Sequence, residues 1–183
     1  MLFLRNAWNK QNYILMKGLM FDLDRTDFEI VRLLQNDGRM SNKSLAAEVG
    51  LAPSSCLERV RRLRDTGVIR GIHAAIDPTA MGVGLQAIYA LELAKHQREV
   101  VETFQADVLR MPEVMAVYLV SGAFDFLVHV AVRDAQHLRD LALDSFTHRP
   151  EVTRLQTTLV FDYACRHELP CYRDRDGRQA PVS

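Results

Sequence analysis

The sequence predicts an α+β chain in two parts, three short helices joined by tight turns and then a βαββαβ sheet domain. Three observations predict it. Apolar residues recur at helical spacing from Asp24 to Thr66, punctuated by Gly38, Gly50 and Gly67. Alternating strands and further helical runs follow from Leu85 to Phe161. Between the two patterns Asp77-Pro78, Gly82 and Gly84 read as a turn and linker. A chain of 183 residues is long enough to bury a core in each part.

Asp24 suits the cap of the first helix, with Asp27 three residues on as in a capping box. Phe28, Val31 and Leu34 then recur at helical spacing until Gly38 ends the run. Ser41 caps a short second helix with Leu45, Ala46 and Val49 on one side, and Gly50 stops it in the left-handed conformation that glycine tolerates. After the turn Gly50 to Ala52, Pro53 fits the first turn of a third helix, where its missing N–H would have been unpaired anyway. That helix runs to about Thr66, before Gly67.

On the third helix Cys56, Leu57, Val60 and Leu63 fall on one side, with Arg64 near its edge. Ser54, Ser55, Glu58, Arg59, Arg61 and Arg62 populate the other. Two helices across a glycine turn, the second carrying serines and arginines outward, suit a reader of the DNA major groove. Short donors near the helix start reach base edges, and guanidinium groups suit guanine and phosphate. The whole chain carries 23 Lys plus Arg against 23 Asp plus Glu, so total charge announces no polyanion partner. The distribution does: Arg59, Arg61, Arg62, Arg64 and Arg70 outnumber Glu58 and Asp65 in one short stretch. A solvated helix face would have the same composition, and the helix-turn-helix frame decides for DNA contact. Residues 22–76 are therefore expected to be a winged helix-turn-helix DNA-binding domain, with Val68 to Ile76 extended and residues 77–84 a linker.

Beyond the linker Leu85, Ala87, Tyr89, Leu91 and Leu93 alternate with polar residues as in a strand, and Val100, Val101, Phe104 and Val108 mark a helix ending before Met111-Pro112. Val114 to Val120, the turn Ser121-Gly122-Ala123 and the alternating run Phe124 to Val132 predict a hairpin. Leu138, Leu141, Ala142 and Phe146 give a second helix, and Leu155, Leu159 and Phe161 a last strand. The order βαββαβ over residues 85–163 is ferredoxin-like, with both helices on one face of the sheet. Leu127, Val117, Leu119 and Val160 are expected to make the second face apolar, which calls for a homodimer or larger assembly to cover it. Residues 1–21 read as an N-terminal extension in which Met16 and Met20 are alternative starts, and residues 164–183, with Arg173, Asp174, Arg175, Asp176 and Gly177, as a polar tail.

Several function classes find little support. Cys56, Cys165 and Cys171 make no even disulfide framework, and Arg5, Asn6, Asn9 and Lys10 interrupt the apolar run that a signal or membrane segment needs. Reduced thiols, a cytoplasmic location and no membrane association are expected. Cys165, His167 and Cys171 are spaced loosely like metal ligands but lack a fourth, so no metal is expected. His129 has no partnered nucleophile, phosphate loop or metal pair, so an enzyme is not expected, and a sheet histidine is the better reading.

The motifs Leu23-Asp24-Arg25-Thr26-Asp27, Asp37-Gly38-Arg39, Val49-Gly50-Leu51, Cys56-Leu57-Glu58-Arg59-Val60-Arg61-Arg62-Leu63, Gly67-Val68-Ile69, Asp77-Pro78 and Val120-Ser121-Gly122-Ala123-Phe124-Asp125-Phe126 together resemble the Lrp/AsnC, or feast/famine, family of regulators. The resemblance covers about residues 22 to 163 and is similar to the alanine-dehydrogenase-regulator branch of that family. It implies a C-terminal domain of the RAM/ACT-like kind, dimers that assemble to octamers, and an amino-acid effector rather than a cofactor, bound between C-terminal domains. The effector positions it implies are Leu119, Ser121, Gly122, Ala123 and Asp125, with Thr158, Leu159 and Val160 on the last strand. Gly122 would offer a backbone N–H to the carboxylate and Asp125 an acceptor to the ammonium, while Leu119, Leu159 and Val160 wall the side chain.

Two positions depart from the family pattern. Ala123 has no polar group where the family commonly has one, and Ala52 stands where a serine usually caps the recognition helix. The function expected is an effector-responsive, sequence-specific regulator of amino-acid metabolism genes such as alanine dehydrogenase. The alternative is an architectural DNA-wrapping protein without an effector. An enzyme built on the ferredoxin-like domain is a third reading, for which the catalytic constellation is missing.

Overall fold

The structure, a computed structural model, describes residues 22–94 and 97–172. The N-terminal extension with Met16 and Met20, and the polar run Arg173 to Gly177, lie outside the described residues. The described residues divide into two compact units, one of residues 22–74 with 165–172 and the other within residues 75–164.

The first unit begins with α1 (Arg25–Asn36), α2 (Asn42–Glu48) and α3 (Pro53–Asp65). Asp24 caps α1 in a full capping box: its carboxylate accepts the Asp27 N–H at 2.9 Å and Asp27 returns the bond to the Asp24 N–H at 3.1 Å. Ser41 caps α2 by accepting the Ser44 N–H at 3.1 Å. Gly50 at φ 67° and Gly67 at φ 77° end α2 and α3 in the left-handed region, as the glycine stops predict. Ile30, Leu45, Ala46, Cys56, Val60 and Leu63 form the core, with Val31, Leu34, Val68 and Ile69 packed around it.

Three details differ from expectation. Ile30, two residues after Phe28, is the fully buried apolar residue of α1, while Phe28 is only partly buried. Leu57 is 39 % exposed and Arg64 is exposed, so the core side of α3 is narrower than its wheel suggests. Residues 70–77 form no strand, and Ile72 and Ile76 stay exposed, because nothing among the described residues offers that stretch a ladder partner.

The second unit contains β1 (Leu85–Leu93), α4 (Arg98–Val108), β2 (Val114–Leu119), β3 (Phe126–Val132), α5 (Ala135–Ala142), a single π-helical turn over Leu143–Thr147, and β4 (Val152–Val160). The sheet order is β2-β3-β1-β4, all antiparallel, which is the ferredoxin-like arrangement. Ala87, Tyr89, Leu91 and Leu93 of β1 alternate inward with Phe126, Val128, Val130 and Val132 of β3, and meet Phe104 and Val108 of α4 and Leu138 and Leu141 of α5. The Tyr89 hydroxyl donates to the Leu138 carbonyl at 2.5 Å, its ring stands edge-on to Phe146, and burial pushes its pKa up to about 12. Gly84 is required at the start of β1, since a Cβ there would lie 2.1 Å from the Arg133 carbonyl oxygen.

Strand register corrects the expected composition of the second sheet face. Val117 pairs with Val128 and Leu119 with Phe126, so both lie on the helix side, and Val117 packs against the core. The other face carries Tyr118, Leu127, His129, Gln86, Ile88, Ala90, Thr158 and Val160, a mixture of apolar and polar residues. Period-two alternation says which residues share a face, but the β-bulge between Val114 and Ala116 shifts the register that sequence counting assumes.

Candidate nucleic-acid interface and effector site

The third helix places its six candidate DNA residues in two groups. Ser54, Ser55, Glu58 and Arg61 are exposed. Arg59 and Arg62 instead engage the start of α1. Arg59 Nη1 donates to Asp24 Oδ2 at 2.6 Å and to Asp27 Oδ1 at 2.9 Å, and Arg62 Nη2 donates to Asp27 Oδ2 at 2.5 Å. Asp27 is completely buried, and both arginines and the Asp24 N–H donate to its carboxylate oxygens. Both arginines, expected to face DNA, are thus engaged with α1 in the chain by itself. Arg59 is committed to the protein interior edge, and Arg62, half exposed, spends one nitrogen there.

The electrostatics agree with this geometry. Hydrogen bonds to Asp24 and then Asp27 raise the Arg59 pKa further above its ordinary range. Burial works against the charged form of Asp24, yet the Asp27 N–H and the Arg59 guanidinium outweigh it and hold its carboxyl below the usual value. Sequence reading missed this cluster although a signal was present. Arg59 and Arg62 are three apart on one helix stripe, and the Asp24/Asp27 box supplies two carboxylates where the usual box has one.

The N-terminus of α3 is open. Ala52 is its N-cap and makes no side-chain cap bond, as the departure at this position predicts, and Pro53 occupies the first turn. The exposed N–H groups of that turn, beside Ser54 and Ser55, can accept an anion, and Arg61 adds a cation further along the exposed surface.

The effector positions fall into two sets. Leu119 ends β2 and Ser121, Gly122 and Ala123 form the bend after it, with Gly122 at φ 129° and open space where a Cβ would stand. Asp125 latches that bend to the end of β1. Its Oδ2 accepts the Leu93 N–H at 2.7 Å and its own N–H donates to the Leu91 carbonyl at 2.8 Å. Thr158, Leu159 and Val160 end β4 and pair with Ile88, Ala87 and Gln86 near the start of β1. The bend therefore sits at the Leu91 end of the sheet beside edge strand β2, and the second set at the Gln86 end on the opposite edge. With strands about 4.8 Å apart and residues about 3.3 Å apart along them, the sets are separated by roughly 15 to 20 Å. Leu159 also faces the helix side while Thr158 and Val160 face away from it. One copy of the chain does not bring the two sets together.

Elsewhere, Cys165 Sγ lies 3.7 Å from His167 Nε2, and among the described residues no three potential ligands gather as a metal site. His129 Nε2 lies 2.9 Å from Gln86 Oε1 on the second sheet face. Among the described residues no helix is long and apolar enough to cross a membrane.

A helix-turn-helix unit with an exposed serine and arginine face, carried on the same chain as a separate ferredoxin-like unit, defines a DNA-binding transcription regulator with a ligand-binding domain. Residues 23–70 match the winged helix-turn-helix DNA-binding family and residues 86–169 the Lrp/AsnC ligand binding domain. The chain is 42 % identical over 142 residues to the HTH-type transcriptional regulator AldR of Mycolicibacterium smegmatis, covering 78 % of this chain and 83 % of that one. It is similar to the crystal structure of the Mycobacterium tuberculosis AldR, with 40 % identity and a TM-score of 0.69 over 81 % of this chain and 100 % of that one. It is also similar to a Neisseria meningitidis transcriptional regulator solved in complex with L-Met, at 31 % identity and a TM-score of 0.72 over 81 % and 96 %. The chain belongs to the Lrp/AsnC family of transcriptional regulators.

Proposed function

We propose that the protein is a sequence-specific regulator whose grip on double-stranded DNA is set by an amino acid bound between the C-terminal units of different copies. Ser54, Ser55, Glu58 and Arg61 read the major groove and its phosphates, and the controlled genes serve amino-acid metabolism, of the alanine dehydrogenase kind. Copies associate as homodimers that assemble to octamers, and an effector seated between them biases the spacing of the reading helices. No covalent chemistry is needed.

One observation carries the reading. The bend Ser121 to Asp125 and the strand end Thr158 to Val160 stand at opposite ends and opposite edges of one sheet, farther apart than any free amino acid spans. A site that uses both sets takes them from two copies, which ties occupancy to assembly. The backbone around Gly122 offers donors to a carboxylate, and the L-Met complex of the Neisseria regulator supports an amino acid as the ligand class. Asp125 already holds the Leu93 N–H, so in this reading it shapes the bend as much as it receives an ammonium.

The test is a gel-shift titration on the protein's own promoter and adjacent intergenic DNA, with and without each of the twenty amino acids. A change in affinity or in the pattern of complexes with one or a few of them is expected. DNA binding indifferent to all twenty makes the protein an architectural wrapper instead, and no DNA binding at all overturns both readings.

A further inference from the structure

The chain passes between its two units twice, at residues 74–75 and again at residues 164–165. The second passage begins where β4 ends. After Val160 the backbone forms no further helix or strand through Tyr172, yet from Cys165 onward it groups with the DNA-reading unit and not with the sheet it has left.

One hydrogen bond, a long-range charge interaction and a shared groove relate the segment to α1. The Leu169 N–H donates to Gln35 Oε1 of α1 at 2.8 Å. Arg32 of α1, whose guanidinium is held protonated first by Glu29, also feels the carboxylate of Glu168. Arg166 and Glu168 to Cys171 form one wall of a groove of about 680 Å³ whose other wall includes Phe28, Val31, Arg32 and Gln35 of α1 with Val68. Phe28, Arg32 and Gln35 lie on the stripe of α1 turned away from buried Asp27 and Ile30. None of Ser54, Ser55, Glu58 or Arg61 lines the groove. The segment therefore leaves the reading face open, and its contacts are those of a tether rather than a plug.

We infer that residues 166–171 are a strap that latches onto α1 through Gln35, so that the end of β4 joins the DNA-reading unit by a second route besides residues 74–75. Leu169 follows Val160 by nine residues, so a displacement of the end of β4 is delivered to the first helix through a short path. The regulatory half of this inference rests on the effector reading above, because it takes Thr158 to Val160 as the strand end that an effector displaces; the docking half stands on the contacts alone.

Two measurements on the full chain separate these halves. Amide hydrogen exchange of residues 167–172 is expected to be at least about fivefold slower in the wild type than in Gln35→Leu, which removes the acceptor, and to stay slow in Gln35→Glu, which keeps one. Equal exchange in the wild type and Gln35→Leu overturns the docking. DNA affinity without effector is expected to change less than about threefold between chains ending at Tyr172 and at Ala164. The effector-induced change in affinity should survive in the first and fall at least about fivefold in the second and in Gln35→Leu. An undiminished response in both shortened and Gln35→Leu chains overturns the coupling. A wild-type chain that answers to no amino acid refutes the effector reading and the coupling with it, while the exchange data still decide whether the strap docks.

Discussion

Asp27 and Arg59 face each other across the seam between the first and third helices, the buried carboxylate of one 2.9 Å from the half-sheltered guanidinium of the other. Arg59 also reaches Asp24, and Arg62 takes the second oxygen of Asp27. The orientation of the reading helix is thus set by charges at the capping box of a different helix. Arg59→Ala leaves a desolvated carboxylate with fewer donors. Removing one partner of a buried pair costs about 3 to 5 kcal/mol, and with Arg62 remaining and the site partly solvated about 2 kcal/mol is expected here. Chemical denaturation checks it. A variant as stable as the wild type but weaker on DNA would return Arg59 to the interface.

Arg61 is the opposite case. It is exposed, and no ion pair holds it among the described residues. Arg61→Ala should leave stability within about 0.5 kcal/mol, weaken DNA binding on operator and random sequence alike, and lower the slope of log affinity against log salt by about 1. Affinities at four salt concentrations give the slope. An unchanged slope means that Arg61 touches no phosphate.

The bare cap at Ala52 makes a third prediction. The backbone there is extended at φ −65° and ψ 143°, the geometry in which a serine side chain accepts an N–H from the first turn. Ala52→Ser should stabilise the unit by about 0.5 to 2 kcal/mol. Thermal and denaturant unfolding of the two proteins measure the gain, and no gain would mean that the open first turn already finds its partners elsewhere.

How far the sequence could be read follows from what each signal depends on. Caps and stops at Asp24, Ser41, Gly50 and Gly67 are local, and each stands where it was expected. The βαββαβ order was likewise legible, because period-two and helical spacing are properties of short windows. The facing of Val117 and Leu119 was not, since a bulge near Met115 re-phases β2 and leaves no mark that spacing alone records. The ion pairs of Arg59 and Arg62 were hidden for a related reason. A helical wheel separates polar from apolar, but it does not say which polar residues meet a carboxylate more than thirty positions earlier in the chain. The separation of the two effector sets is a consequence of strand order, which no single strand carries in its own pattern.

His129 provides the last prediction, which concerns pH. It lies on the second sheet face between Ala116 and Ile88, with its ring against Gln86 at 2.9 Å and near the Tyr163 ring at 6.2 Å. Burial lowers its pKa below the ordinary value of 6.5, and none of those four neighbours supplies a negative charge to oppose the shift. The folded chain therefore prefers the neutral imidazole. Its contribution to stability is complete above about pH 6.5, where the unfolded chain is also neutral, and is lost as pH falls from there through the lower folded pKa. The ring resonances of His129 should titrate with a midpoint below 6.5, and between pH 7.5 and 5.5 the wild type should lose more unfolding free energy than His129→Gln does. A midpoint at or above 6.5 would mean that the second sheet face is wetter, or closer to a carboxylate, than this arrangement of strands allows.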